Sequence, residues 1–242
     1  MSDSEATVVT AAASASAGGP TVAPDPNIHS PSDFERDYGG RDWRFYRSLV
    51  ADCVTRAEPG PVLDAGAGLG FFVEACQRYG LPCTGLEGSE HAVRLARSRY
   101  PIDIRQHYLS HPWPFSDATF SAVVCNQTIE HLTPPIAETV LRESFRVLRP
   151  RGLLVISSPC LHDPVQAAEP THINLYTPAR LRAAVSAAGF GDYCAYDSPR
   201  LLLGGSRPLE ILLNVVFRMM PLDLLSVSAN CFAYKPLVGP AP

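Results

Sequence analysis

Val62-Leu63-Asp64-Ala65-Gly66-Ala67-Gly68-Leu69-Gly70-Phe71-Phe72 sets a short apolar run against three glycines at alternate positions, and a helical pattern continues to Tyr79. A strand that ends in such a cluster and turns straight into a helix forms a ligand-binding turn. Glycine allows the tight turn, and without a Cβ it lets a ligand approach the main chain. A pyrophosphate cradle wants the spacing GxGxxG; here the third glycine comes one residue early and Phe71 fills the expected place, which speaks against a dinucleotide. The next acidic group at a strand end is Glu87, in Gly85-Leu86-Glu87-Gly88-Ser89, 23 positions after Asp64. At the end of a neighbouring strand its carboxylate can accept both hydroxyls of a ribose.

Outward from this pair, strand and helix signals alternate. Strands are predicted at 61–63, 81–86, 102–107, 120–125, 153–157, 193–196 and 228–234. A first helix is expected within Asp33–Ala57, where Trp43, Phe45, Tyr46, Leu49, Val50 and Val54 recur at helical intervals. Ser89 is placed to cap a helix to Tyr100; Thr133-Pro134 and Thr177-Pro178 each open one in cap-then-proline style. Pro150 and Gly152 stop the former near Leu148, and Gly189 ends the latter. Units of this length predict an α/β fold: a doubly wound, mainly parallel seven-stranded sheet with helices on both faces. Ligands of such sheets lie beyond the carboxyl ends of the strands, so the loops after Leu63, Leu86, His107, Cys125 and Ser157 should hold the chemistry.

Bulk properties agree with one domain. Of 242 residues, 46% are hydrophobic and 18% charged, enough for a sizeable core. The net charge of −4 offers no general attraction to nucleic acid or anionic membrane. Lys235 is the only lysine among 20 basic residues, which reads as a coding bias. The 7 cysteines are scattered and never form a CxxC pair, as in a reducing, cytoplasmic setting. The first twenty residues contain Asp3 and Glu5, no basic residue and no long apolar run, unlike a secretory or transit segment. No stretch has the roughly eighteen uninterrupted apolar residues of a membrane span. Residues 1–30, rich in Ala, Ser, Thr, Gly and Pro, are expected to be a disordered tail, with the domain over 31–236 and a short tail over 237–242.

The glycine loop followed by Glu87 resembles the class I S-adenosylmethionine-dependent methyltransferases of small molecules, whose first motif is acidic-x-Gly-x-Gly-x-Gly. The resemblance covers roughly residues 33–236. Trp113-Pro114-Phe115-Ser116-Asp117-Ala118-Thr119-Phe120 is similar to the family's "LPF-x-D-x-x-F" segment, Glu130-His131-Leu132 to its "EHL" after strand four. His172, Tyr176, Thr177, Leu181, Ala188, Gly189 and Phe190 fit its "H…T…L…aGF" stretch. The resemblance implies S-adenosyl-L-methionine as cofactor: Asp64 orients its amino-acid end, Gly66, Gly68 and Gly70 let it pass close to the backbone, and Glu87 holds the ribose. It places Tyr108 where the family has an acid that meets the adenine amino group, and Asn126 and Gln127 where the family touches the methionine part or the acceptor. Ser121 replaces an Asp that is common after the strand-four Phe.

Methyl transfer asks the protein to align a nucleophile, exclude water and sometimes remove a proton. His131 and His172 follow strand ends on the presumed ligand side and are the candidate general bases; each can equally brace its loop. No metal is expected, since the spacing of His162, Asp163 and His172 demands none. Within 201–227, Glu210, Asn214 and Arg218 recur every four residues from Pro208 to Met220 on an otherwise apolar helix. Core packing, a homodimer seam through 208–220 and a lid over a hydrophobic acceptor are the uses open to that face. The leading expectation is methylation of a small, hydrophobic organic acceptor, with oxygen favoured. The alternatives are a non-catalytic S-adenosylmethionine-binding regulator or assembly protein, in keeping with Tyr108 and Ser121, and a nicotinamide-dependent oxidoreductase.

Overall fold

The computed structural model describes residues 40–199 and 226–237, with side chains omitted for 192–199 and 226–227. The tail expected over 1–30, the segment 201–225 with the helix expected over 208–220, and residues 238–242 lie outside the described residues.

Thirteen elements follow in chain order: α1 (Arg47–Arg56), β1 (Val62–Ala65), α2 (Phe71–Arg78), β2 (Cys83–Glu87), α3 (Glu90–Arg99), β3 (Asp103–Gln106), β4 (Phe120–Asn126), α4 (Pro134–Val147), β5 (Leu148–Pro159), α5 (Pro164–Ala167), α6 (Pro178–Ala187), β6 (Gly191–Pro199) and β7 (Ser226–Tyr234). Short 3-10 turns stand before α1 (Trp43–Tyr46) and after β4 (Ile129–His131). The strands form one seven-stranded sheet in the order β3-β2-β1-β4-β5-β7-β6. The first five are parallel, and β7 runs antiparallel between β5 and β6. Strand order reverses between β1 and β4, where the ends of adjacent parallel strands open a crevice.

The alternation of side chains along each strand decides what faces that crevice. Leu63, Ala65, Val123, Cys125, Leu154 and Ile156 point to one core, covered by Val140 and Leu141 of α4 and by Leu181 and Val185 of α6. Val62, Ala122, Val124, Leu153 and Val155 point to the other, covered by Val50 and Cys53 of α1 and by Phe72, Ala75 and Cys76 of α2. Asp64 shares the parity of Val62, and Asn126 that of Val124, so both stand on the α1–α2 side.

Several expectations need adjustment. The first helix is two pieces, because Asp42 caps the 3-10 turn by accepting from Arg44 N–H at 2.8 Å, and α1 starts only at Arg47. Pro150 and Gly152 do not separate α4 from the next strand. β5 begins at Leu148, and Arg151 takes the left-handed φ of 62° inside an irregular start where pairing jumps from Phe120↔Leu148 to Ala122↔Leu153. Ser89 and Thr177 cap their helices as expected, whereas Thr133 makes no side-chain cap bond and leaves that turn to Pro134. β7 begins at Ser226, two residues early. The Trp113–Phe115 segment is clamped to α4: Trp113 N–H donates to Glu143 Oε2 at 2.7 Å, and Arg146 donates to the carbonyls of Phe115 and Trp113. Ser121 Oγ donates to Pro61 O at 3.0 Å and ties the start of β4 to β1.

Gly70 is needed by the fold, whatever part it takes in admitting a ligand. It starts α2 at φ 69°, and a Cβ there would stand 2.3 Å from Ile102 Cδ1. The isoleucine tip can turn aside, but the left-handed backbone costs a non-glycine residue about 1–2 kcal/mol. Gly70→Ala is therefore expected to lower the melting temperature by roughly 3–8 °C in a thermal denaturation scan, with little change in ligand affinity.

Candidate functional site

At the switch point a small hollow, partly open to solvent, is lined by Tyr46, Asp64, Gly66, Ala67, Phe72 and Asn126. Gly66 and Ala67, which open the loop to Gly70, form part of its wall. Gly66 and Ala67 N–H both donate to Leu86 O at 2.9 Å, and Gly70 N–H donates to Ala67 O at 2.8 Å, so the turn is pinned to the end of β2. Gly66, Gly68 and Gly70 all have positive φ, of 89°, 53° and 69°. At Gly66 an added Cβ would meet Thr128 Cγ2 at 2.3 Å and its Cβ at 2.9 Å. Its missing side chain admits Thr128 from the loop after β4, a protein contact that the expectation of ligand access did not foresee.

Two carboxylates border this turn. Asp64 is 4% exposed, and burial, helped by the charge of Glu87, pushes its pKa up to about 8. Glu87 Oε2 accepts from Gly68 N–H and Oε1 from Ser89 N–H, each at 2.8 Å. Burial raises its pKa while the backbone donors of Ser89, Gly68 and Gly88 hold it down. Each carboxylate oxygen has two acceptor positions. Gly68 and Ser89 N–H thus fix one oxygen each, Gly88 adds to the same backbone cradle, and acceptor capacity remains on the carboxylate.

Asn126 lines the hollow, and its Oδ1 accepts from Ser157 Oγ at 2.7 Å. Gln127 does not border it. It takes φ 52° at the end of β4 and donates through N–H and Nε2 to Ser157 Oγ, each at 3.3 Å. A left-handed non-glycine residue is held there by its surroundings, and such strain gathers at functional sites. Tyr108 sits in the loop after β3, 5.9 Å between ring centroids from His111, and is not among the residues bordering the hollow. Tyr46 and Phe72, packed edge-on at 6.3 Å, provide its apolar wall.

His131 and His172 come together, with ring centroids 4.9 Å apart. His131 Nδ1 meets Thr171 O at 3.0 Å and His172 Nδ1 meets Gln166 O at 2.9 Å. A carbonyl can only accept, so both Nδ1 atoms carry hydrogen, and in the neutral rings Nε2 carries the lone pair. Glu130 joins them, 1% exposed, with Oε1 at 4.0 Å from His131 Nε2. Burial pushes its pKa up to about 8. By contrast Asp163 caps α5, accepting from Val165 N–H at 3.0 Å, and His162 is exposed.

Residues 38–194 match the family described as "Methyltransferase domain". A Mycolicibacterium smegmatis protein named a probable S-adenosylmethionine-dependent methyltransferase is 36% identical over 115 residues, 47% of this chain and 42% of that one. A ubiquinone biosynthesis O-methyltransferase of Xanthomonas campestris is 32% identical over 108 residues, 42% of this chain and 44% of that one. The chain thus spans less than half the length of these curated relatives. A crystal structure of an S-adenosylmethionine-dependent methyltransferase from Archaeoglobus fulgidus superimposes with TM-score 0.64 at 19% identity, covering 84% of this chain and 98% of that one, and shares the fold. Among the described residues no helix is long and apolar enough to cross a membrane. The glycine turn, its two carboxylates and the match over most of the sheet lead to one conclusion: the chain belongs to the methyltransferase-domain family, in the class that uses S-adenosylmethionine as cofactor.

Proposed function

We propose that the protein transfers a methyl group from S-adenosylmethionine to an oxygen of a small, hydrophobic organic acceptor. The observation that carries this reading is the hollow at the switch point, floored by buried Asp64 and bordered by the glycine turn that Glu87 pins. When bound, the cofactor supplies an electrophilic methyl carbon on a sulfonium. Asp64 would hold its amino-acid end by charge, Glu87 its ribose hydroxyls through the remaining acceptor capacity, and Gly66, Gly68 and Ala67 the approach along the backbone. Tyr46 and Phe72 exclude water from one side. His131 and His172 are not among the residues that line the hollow; as the paired imidazoles that follow β4 and β5 they would serve as general bases for an acceptor hydroxyl that must lose its proton. The likeness to ubiquinone biosynthesis O-methyltransferases supports oxygen as the atom methylated.

The test is incubation with cofactor carrying an isotopically labelled methyl group and a panel of small phenols, alcohols, amines and thiols. The expected result is label in a hydroxylated, apolar acceptor with stoichiometric S-adenosylhomocysteine. Label found only on amines would move the proposal to nitrogen; cofactor binding with no label in any class would return the protein to a binding role.

A further inference from the structure

Glu130, His131 and His172 form a three-membered group in which one ligand atom from each lies within 4.8 Å of the other two. We propose that these three side chains bind a single divalent transition-metal cation, with coordination positions left over for an acceptor oxygen. Two imidazoles and one carboxylate make a donor set suited to zinc, manganese, iron or cobalt in the divalent state rather than to magnesium or calcium, which prefer all-oxygen shells.

Three independent features support the site. Glu130 Oε2 is buried and finds no hydrogen-bond partner among the described residues. A buried polar oxygen without a partner is destabilising, and a cation is one group that removes that cost. Both imidazoles use Nδ1–H on backbone carbonyls. That is the outer-sphere arrangement of metal-binding histidines, because it fixes the tautomer and turns Nε2 outward as the ligand. The group is also braced from outside. The loop that carries His172 is tied down by the bridge between Cys160 and Tyr176, by Leu161 N–H donating to Tyr176 O at 3.0 Å and by Asn174 N–H donating to Glu130 O at 3.0 Å. Around a tetrahedral ion with bonds near 2.1 Å, donors sit about 3.4 Å apart. From separations of up to 4.8 Å the group needs to close by at most about 1.4 Å, within the reach of side-chain rotation.

The role of such an ion rests on the methyl-transfer reading; its binding does not. A coordinated acceptor hydroxyl loses its proton to water more readily. Its oxygen then forms the new O–C bond as the S–C bond of the cofactor breaks. Glu130 and the histidines would in that case act as ligands, with the ion taking over the task of a general base.

The experiment uses the full chain freed of metal by a chelator and then titrated with Co²⁺ alone. The expected result is one Co²⁺ per chain with visible absorption typical of mixed nitrogen and oxygen ligation, displaced by equimolar Zn²⁺. Glu130→Gln and His172→Gln should each weaken binding at least tenfold while circular dichroism stays unchanged. Wild-type protein that takes up no stoichiometric Co²⁺, or binding that survives both variants, overturns the site. Should a variant fail to fold, proton NMR of the wild type decides. Zn²⁺ must then shift the ring signals of two of the 7 histidines, and a shift of none, or of a different number, overturns the site. Calorimetry with S-adenosylhomocysteine on the same sample separates the two readings. Its heat without Co²⁺ uptake refutes the metal alone, and Co²⁺ uptake without its heat refutes the cofactor alone.

Discussion

Glu87→Ala is expected to raise the dissociation constant for S-adenosylhomocysteine by at least 100-fold. The carboxylate is oriented by Gly68 and Ser89 N–H, each at 2.8 Å, and offers its remaining positions to a ribose. Hydrogen bonds to a charged acceptor are worth about 1.5–3 kcal/mol each. Two of them therefore account for roughly 3–6 kcal/mol, or about two to four decades of affinity. Glu87→Gln is no milder. Whichever way the amide is turned, its NH2 faces one of the two backbone donors, so the glycine turn must move. Isothermal titration calorimetry of the two variants checks both statements. An alanine variant that binds within threefold of wild type removes Glu87 from the pocket.

The places of Asp64 and Glu87 beside the glycine turn were legible in the sequence because both stand at strand ends, and strand ends can be read from apolar runs. The parity argument was also available. Counting in twos from Val62 and Val124 puts Asp64 and Asn126 on one side of the sheet, and the structure places both on the hollow. What could not be read depends on contacts between distant segments. Thr128 fills the space left by Gly66, 62 positions away, and only the pairing of β1 with β4 brings them together. The same limit hid the partnership of Glu130 and His131 with His172. Forty residues separate the histidines, and the Cys160–Tyr176 bridge that folds the loop back leaves no periodic signal. His162 and Asp163 follow strand five in the sequence, where they can reach the same rim as His172 without any spacing that demands it. Asp163 instead satisfies the first N–H groups of α5, a use that any Asp before a proline-led turn invites. Glycine spacing likewise announces a turn without saying what occupies the room it leaves, which is why Gly70 reads as ligand access and serves the packing of Ile102.

The affinity for S-adenosylmethionine should rise about tenfold between pH 6 and 7 and less steeply between 7 and 8, because Asp64, with its pKa at about 8, must be ionised to hold a cationic group. Burial holds its pKa at about 8 in the free protein, so binding below that pH releases a proton, and the gain from Asp64 over two units is about 50-fold, half of the carboxylate being ionised already at pH 8. Above pH 8 the carboxylate is already charged, while the cofactor's own α-amine, with a pKa near 8, begins to lose its charge. The curve should flatten and then fall. Folding stability moves the opposite way. The unfolded chain releases this proton near pH 4 and the folded protein keeps it to about 8. The contribution of Asp64 is thus fully present below pH 4 and is lost as pH rises through 8. Asp64→Asn should abolish the rising limb of affinity and this part of the decline in stability, leaving only the titration of the ligand. A wild-type affinity that does not change between pH 6 and 8, measured by calorimetry in buffers of different ionisation enthalpy, would mean that Asp64 meets no cation and that the floor of the hollow serves the fold alone.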